Sequence, residues 1–526
     1  MIRRFLLSVF LMAGSLGAAD SHVWKVAGPP PESWQRDRVA DLASHRKAVM
    51  EQLGDKAILI LYAAEPRNYA GDVDWPYRQE NDFFYLAGIA QAGGMLVLIP
   101  GAEKIREILF LPPPNPAQEN WTGHILTADE GRQISGIQDV WDARNFNSFL
   151  ATLIPQAKEL LAEPAGRGGG GRRRGGAQPP PAIPVDWGKE FAQTIAAVSD
   201  HSAELYMLDG PTPEHRREIE FTGKLAAANP GLTIKDPAQI FDNLRPVKSA
   251  REIDLLKHAV DITAEAFQRV YALGVPGTPE YELQAQFEFT FLRRNAHWGY
   301  PCIVASGVNA TTLHYETNKD TMKAGDLLLV DDAAEFDGYS VDVTRTIPVS
   351  GKYNKEQAEI YRLVWEGQQA GIQSALPGKT EDDITGAASK VMAEGLVKLG
   401  LMTDVNSKRQ LGVWFNHGIS HGIGLNVHDP GRHEFQPGMA ITMEPGIYIR
   451  PNALDNLPKT QESEKFAAAI QAAFEKYKGI GVRIEDDVLI TAGQPQVLSA
   501  GIPSKLEEVE ATIAQLRKAL KSTPLP

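Results

Sequence analysis

The sequence predicts two folded domains, an α/β domain followed by an α+β domain built from two related halves. Strand-like apolar runs alternate with helical patterns up to about residue 236, which is how an α/β layer structure is written. Beyond residue 237 a helix, a Pro-Gly turn and a second helix occur twice. Each copy leads into strands that carry acids and histidines, so the second domain reads as an internal duplication with a site between its halves. The chain of 526 residues has room for two or three cores of this size.

The elements follow in order. Met1 to Ala19 reads as a secretory signal: Arg3 and Arg4 form the charged start, Phe5 to Leu16 the apolar stretch, and Gly17-Ala18-Ala19 the small residues for cleavage. The competing reading is a membrane anchor, for which the apolar run is short. The arginine pair also fits twin-arginine export. This implies an exported chain, periplasmic or secreted, with no stable membrane insertion after cleavage. The lone Cys302 gives it no internal disulfide.

The first domain spans about 33–236. A helix is expected over Trp34 to Leu53. Strands are expected over Ala57 to Tyr62, Phe83 to Leu86, Met95 to Ile99 and Glu107 to Leu111. Residues 163–184, EPAGRGGGGRRRGGAQPPPAIP, have no apolar period and read as a disordered insertion. An arginine-glycine tail for nucleic acid is the sharper alternative. The net charge of −13 argues against it, because phosphate binding needs a basic surface.

The second domain spans 237–500. Ser249-Ala250-Arg251-Glu252 forms a capping box before a helix with Ile253, Leu256, Val260 and Phe267 on one side. That helix runs into Leu273-Gly274-Val275-Pro276-Gly277-Thr278. The second copy runs from Lys355 into Leu376-Pro377-Gly378-Lys379-Thr380. Residues 501–526 close the chain with a capping box over Ser504 to Glu507 and a helix striped by Leu506, Val509, Ile513, Leu516 and Leu520. Such a stripe docks on its own domain or pairs with another subunit.

The chemistry concentrates in four stretches. Leu327 to Thr346 contains a strand ending in Asp331, an Asp337-Gly338 hairpin cue and a return carrying Asp342, Thr344 and Thr346 on one face. Asp331 and Asp342 are thereby brought together in an apolar sheet, at a cost that a proton or a cation must offset. His417, His421 and His428 crowd a glycine-rich, non-helical segment. Glu444 stands at the tip of a strand before Pro445-Gly446. Val482 to Asp487 places Arg483, Glu485 and Asp487 on one strand face. The set Asp331, Asp342, His421, Glu444 and Glu485 suits two hard divalent ions, manganese expected, better than structural zinc. Four carboxylates balance two doubly charged cations, which could hold a water and polarise a carbonyl.

The order Asp, Asp, His, Glu, Glu resembles the pita-bread metallopeptidases, the family of methionine aminopeptidase, aminopeptidase P and prolidase, over Leu244 to Ala492. Arg78-Gln79-Glu80-Asn81-Asp82-Phe83-Phe84-Tyr85-Leu86-Ala87-Gly88 is similar to the front domain of aminopeptidase P and prolidase, which methionine aminopeptidases lack. DVTRTIPVSGKY and HGISHGIGLNVHDPG look most like the Xaa-Pro aminopeptidase branch. The resemblance implies that Asp331 holds one ion, that Asp342 and Glu485 bridge both, and that His421 and Glu444 complete the second. It implies that Glu444 handles the proton of the attacking water. It further implies that His314 and His428 bind substrate and stabilise the oxyanion or shuttle a proton, that His417 lines the proline side, and that Arg483 orients a ligand carboxylate or binds substrate.

Two departures from the pattern stand out: Asp332, where the family has a small residue, and the Gly/Arg/Pro insertion. Adjacent strand residues point oppositely, so only one of Asp331 and Asp332 can face the ions, and the eleven-residue interval selects Asp331. The expected activity is release of the N-terminal residue from peptides with proline second, by a homo-oligomer. The rivals are an Xaa-Pro dipeptidase and a catalytically silent peptide-binding relative. A creatine-type amidinohydrolase shares the fold without the metal set.

Overall fold

The computed structural model describes residues 23–161, 180–210 and 215–525. The signal-like segment and most of the 163–184 insertion lie outside the described residues. The chain forms two compact units: Pro30–Leu255 with His421–Ala440, and Leu256–Ser420 with Ile441–Pro526 and the lead-in up to Pro29. Among the described residues, no helix is long and apolar enough to cross a membrane.

The first of these is organised by a six-stranded sheet: β1 (Ala57–Tyr62), β2 (Met95–Leu98), β3 (Glu107–Leu111), β4 (Asp139–Asp142), β5 (Glu204–Met207) and β6 (Thr233–Lys235), in the order β4-β3-β2-β1-β5-β6. β1 pairs antiparallel with β2 and parallel with β5. β1 and β2 are apolar at nearly every position and buried along their length, as expected of strands covered on both faces. Their core includes Ile58, Ile60, Val97, Phe110, Phe149 and Leu205.

The helix expected over Trp34 to Leu53 forms with those bounds and is called α1. The strand expected over Phe83 to Leu86 does not form. Those residues lie in a helix, α2 (Asn81–Ala87), whose N-terminus is capped by Glu80 accepting from the Phe83 N–H at 2.7 Å and whose C-terminus ends on left-handed Gly88. The aromatic run suggests a strand, but the two caps decide for a helix.

In the other unit the predicted repeat is visible in the helices. α3 (Ala250–Leu273), whose residues up to Leu255 still belong to the first unit, starts at the reciprocal Ser249–Glu252 box and is followed by α4 (Glu280–Arg293). α5 (Lys355–Ser374) and α6 (Glu381–Lys398) repeat the pattern, each with its own capping box. The intervening Gly277 and Gly378 both adopt positive φ, 94° and 79°, a conformation that favours glycine in the connecting turn. A three-stranded sheet holds β7 (Ile303–Ser306), β8 (Leu327–Asp331) and β9 (Thr344–Pro348), with β8 central and antiparallel to both. The hairpin cue also forms: Asp337 and Gly338 have φ of 51° and 83°, as a two-residue turn of this kind requires.

Two further expectations need correction. Val482 to Asp487 is not one strand. It splits into β10 (Gly481–Arg483) and β11 (Asp486–Leu489), which belong to different sheets, with Glu485 in the break. The Ser504–Glu507 capping box is absent: the last helix, Leu506–Ala519, has Lys505 at its N-cap and no side-chain cap. Its stripe of Leu506, Val509, Ile513 and Leu516 is buried. It docks on its own domain, with Arg517 donating to the carbonyls of Tyr271 and Gly274.

Candidate metal centre

β8 and β9 build the floor of the site. Their register sets Asp331 opposite Thr344 and Leu329 opposite Thr346. Asp342 lies just before β9, in the irregular stretch that follows the hairpin. The Tyr300 hydroxyl joins the two acids, 2.7 Å from Asp331 Oδ1 and 2.5 Å from Asp342 Oδ1. Asp331 Oδ2 accepts from Arg483 Nη2. Asp332 points away and is fully buried, beside the Cys302 thiol. The opposite orientation of neighbouring strand residues thus separates the two adjacent aspartates as expected.

Glu485, in the break between β10 and β11, turns toward the same floor. Its Oε2 accepts from Thr344 Oγ1 at 2.6 Å and its N–H donates to the Thr344 carbonyl at 3.0 Å. Its Oε1 is buried and has no partner. Asp487 accepts from the Asp342 N–H at 3.2 Å. Asp486 faces elsewhere, into a structural pair with Arg345 at 2.6 Å and a bond from Ser499.

Glu444 follows the strand Ala440–Met443, and its N–H donates to the Ile419 carbonyl at 2.9 Å. His417 Nδ1 is 3.6 Å from Glu444 Oε2, and His417 Nε2 is 2.9 Å from the Tyr448 hydroxyl. Arg483 Nη1 donates to that hydroxyl at 2.9 Å. Phe415 packs edge-on against His417 at 5.0 Å between ring centres. His314 is exposed on a segment without regular structure.

The electrostatics show that these acids crowd one another. Burial pushes the Asp342 carboxyl well above the usual carboxylate range, and Asp331 and Glu444 push it further. Glu485 is raised in the same way by burial, Asp342 and Asp331. Arg483 is held strongly protonated despite burial, because Tyr448, Asp331, Glu485 and Glu444 surround it. Burial, with Arg483 beside it, pushes the His417 imidazole down to about 4. One guanidinium does not offset four carboxylates, and an orphaned oxygen on Glu485 is the kind of acceptor a hard cation would satisfy. The donor set therefore fits divalent cations.

His421 and His428 lie in the segment His421–Ala440 of the other unit. Their rings are 4.2 Å apart. His421 comes two residues after Ile419, whose carbonyl takes the Glu444 N–H. Tyr300, Thr344 and Tyr448 were not identified as site residues from the sequence. Thr344 shares its predicted strand face with Asp342, which was the available signal. Neither tyrosine has a spacing cue.

A model of metallopeptidase family M24 matches residues 254–492, and a model of the aminopeptidase P N-terminal domain matches residues 42–161. The Xaa-Pro aminopeptidase of Escherichia coli is 30% identical over 90% of this chain and 97% of its own length. Human Xaa-Pro aminopeptidase 3 is 28% identical over 88% of this chain and 81% of its own. A solved structure of E. coli aminopeptidase P with the inhibitor Pro-Leu superimposes with a TM-score of 0.73 at 30% identity, covering 91% of this chain and 99% of that one.

Proposed function

The chain belongs to the Xaa-Pro aminopeptidases of metallopeptidase family M24, with the N-terminal domain of aminopeptidase P, and from this premise we propose an exported enzyme that works with two divalent cations, manganese expected. The observation that carries the reading is the convergence of buried Asp331, Asp342 and Glu485 and half-buried Glu444 near Tyr300 and Arg483. Asp331, Asp342, His421, Glu444 and Glu485 would hold the ions. Cations in such a site acidify water and polarise the scissile carbonyl.

The remaining steps belong to the protein's own groups. Glu444, backed by His417 at 3.6 Å, takes the proton of the attacking water and returns it to the leaving nitrogen. Arg483 fixes the Asp331 carboxylate and so keeps one ligand from rotating away. The substrate's prolyl nitrogen carries no hydrogen, so recognition rests on the ring. Half-buried His417, held between the buried rings of Phe415 and Tyr448, offers it a face. His314 and His428, both exposed, steady the substrate and the developing oxyanion. Export is supported by the Arg3-Arg4 start, the Phe5 to Leu16 apolar stretch and the small residues that follow.

The test uses purified full-length protein, stripped of metal and reconstituted with Mn(II), Co(II) or Zn(II). Two equivalents of metal should bind, and an Xaa-Pro-Xaa tripeptide should be cleaved after its first residue while an Xaa-Ala-Xaa tripeptide is not. Turnover of Xaa-Pro dipeptides alone would replace this reading with a dipeptidase. Peptide binding without metal uptake would replace it with a silent relative. Cell fractionation tests the export.

A further inference from the structure

The stretch Arg78 to Asp82 has no place in the reaction as described so far, yet it grips the loop that carries two of the histidines. That loop lies in the same unit as the stretch. A bridge between Gly422 and Asp429 closes it, with the Asp429 N–H donating to the Gly422 carbonyl at 2.9 Å. Closure is what sets the His421 and His428 rings 4.2 Å apart, one beside each end of the bridge.

Two attachments hold the loop. Arg78 Nη2 donates to the Leu425 carbonyl at 2.5 Å, at the loop's middle. Asp82 Oδ1 accepts from Arg245 Nη1 at 2.8 Å, and Arg245 Nη2 donates to Asp429 Oδ1. Lys248 Nζ completes the knot, 2.7 Å from Asp429 Oδ2 and 2.6 Å from the Arg245 carbonyl. Asp82, Arg245, Lys248 and Asp429 are all buried. Two cations face two carboxylates, with Glu80 acting on Asp82 and Glu252 on Lys248 as further acids beside them. Gly424 belongs to the same device: a Cβ there would stand 2.5 Å from Asp429 Oδ2 and 2.7 Å from Lys248 Nζ. Only glycine lets the loop lie over the knot.

We propose that Arg78 and Asp82 are positioning residues for the His421–His428 pair, so that the front domain takes part in catalysis without touching substrate. Arg78 sets the height of the loop through Leu425. Asp82 sets the direction of Arg245 and, through it, of Asp429, the residue after His428. Catalytic groups lose rate steeply when displaced by an ångström, and partners that orient a metal ligand matter nearly as much as the ligand. The proposal rests on the reading of His421 as a metal ligand and His428 as a substrate-facing group.

The experiment compares Arg78→Met, Asp82→Asn and a control, Glu107→Gln, in full-length protein. The control weakens a half-buried arginine contact in the same unit, Arg46 Nε to Glu107 Oε2 at 2.9 Å, remote in sequence from the loop. Steady-state kinetics on an Xaa-Pro-Xaa tripeptide separate kcat from KM. A Co(II) titration followed by visible absorption reads the ligand field without turnover. Arg78→Met and Asp82→Asn should each lower kcat by about tenfold or more with KM little changed, and should weaken Co(II) binding by about tenfold. Glu107→Gln should leave both alone. Arg78→Met keeps the buried knot intact and so decides the matter where Asp82→Asn fails to fold. Wild-type kcat and Co(II) affinity in Arg78→Met, or an equal loss in the control, overturns the clamp. If the wild-type chain takes up no Co(II), the assignment of His421 as a ligand falls first and the clamp falls with it.

Discussion

Tyr300 places one hydroxyl between two carboxylates, and that arrangement sets its role. Without cations, the hydroxyl is the neutral donor that eases the repulsion between Asp331 and Asp342. A hydrogen bond to a charged acceptor contributes about 1.5–3 kcal/mol. Tyr300→Phe should therefore lower the stability of metal-free protein by roughly that amount. With cations bound, the acids have stronger partners and the loss should shrink. Denaturant midpoints with and without Mn(II) measure both. An equal loss in the two states would mean that the hydroxyl does not manage the charge. The acids themselves were legible in the sequence because a buried carboxylate has few purposes, and strand alternation separated Asp331 from Asp332. Tyr300 was not legible, since a tyrosine before a proline has no spacing that marks it as a site residue. Glu485 was legible as an acid, while the strand break that turns it was not.

At the scale of elements, α1 is tied to the start of α3 by a titratable contact. His45 Nε2 lies 3.5 Å from Glu252 and 3.7 Å from Asp41, its Nδ1 is 3.1 Å from the Tyr85 carbonyl, and its ring stacks on Tyr85 at 3.9 Å. Burial draws the imidazole down from 6.5, but Glu252, Asp41 and the Tyr85 carbonyl more than offset that, and its pKa is raised. Glu252 is pulled below the usual carboxylate range against its burial, by His45 first and by Lys248 and the Ser249 N–H as well. A raised histidine stabilises the fold fully below its unfolded value and loses that contribution as pH rises through the folded one. Each pH unit between the two is worth about 1.4 kcal/mol. The stability gap between wild type and His45→Gln should thus be widest below pH 6.5 and narrow above the folded value. Denaturation at a series of pH values reads it, and a gap that widens with pH would refute the assignment. The long capped helices were legible because caps and apolar stripes are local. The helix at Asn81–Ala87 was not, because its aromatic run suits a strand and only Glu80 and Gly88 say otherwise. The expected Ser504 box failed for the converse reason: the residue types were present, but the chain entered the helix at Lys505.

For the molecule as a whole, the question is what the acid cluster costs when it holds no cation and what it returns when it does. The two-domain plan and the duplicated helix pairs were legible because they repeat. The cost was legible only in sign, because the crowding depends on distances that no sequence prints. Glu485 is the sharpest probe of it: buried, one oxygen orphaned, and pushed up by burial, Asp342 and Asp331. Glu485→Gln keeps the shape and the acceptor for Thr344, removes one like charge and adds a donor beside Asp342. Each pKa unit of such repulsion corresponds to about 1.4 kcal/mol, so the metal-free variant should be more stable than metal-free wild type by on the order of that amount. Cations bind the folded chain and not the unfolded one, which raises wild-type stability by about 2.7 kcal/mol at a hundredfold excess over Kd. The variant, short of a ligand, should lose most of that gain along with its activity. Thermal unfolding of both proteins with chelator and with Mn(II) gives the four midpoints needed. The expected pattern is a crossing, with the variant ahead without metal and behind with it. Parallel shifts in both conditions would mean that Glu485 serves the fold alone and that the cost of the cluster has nothing to do with cations.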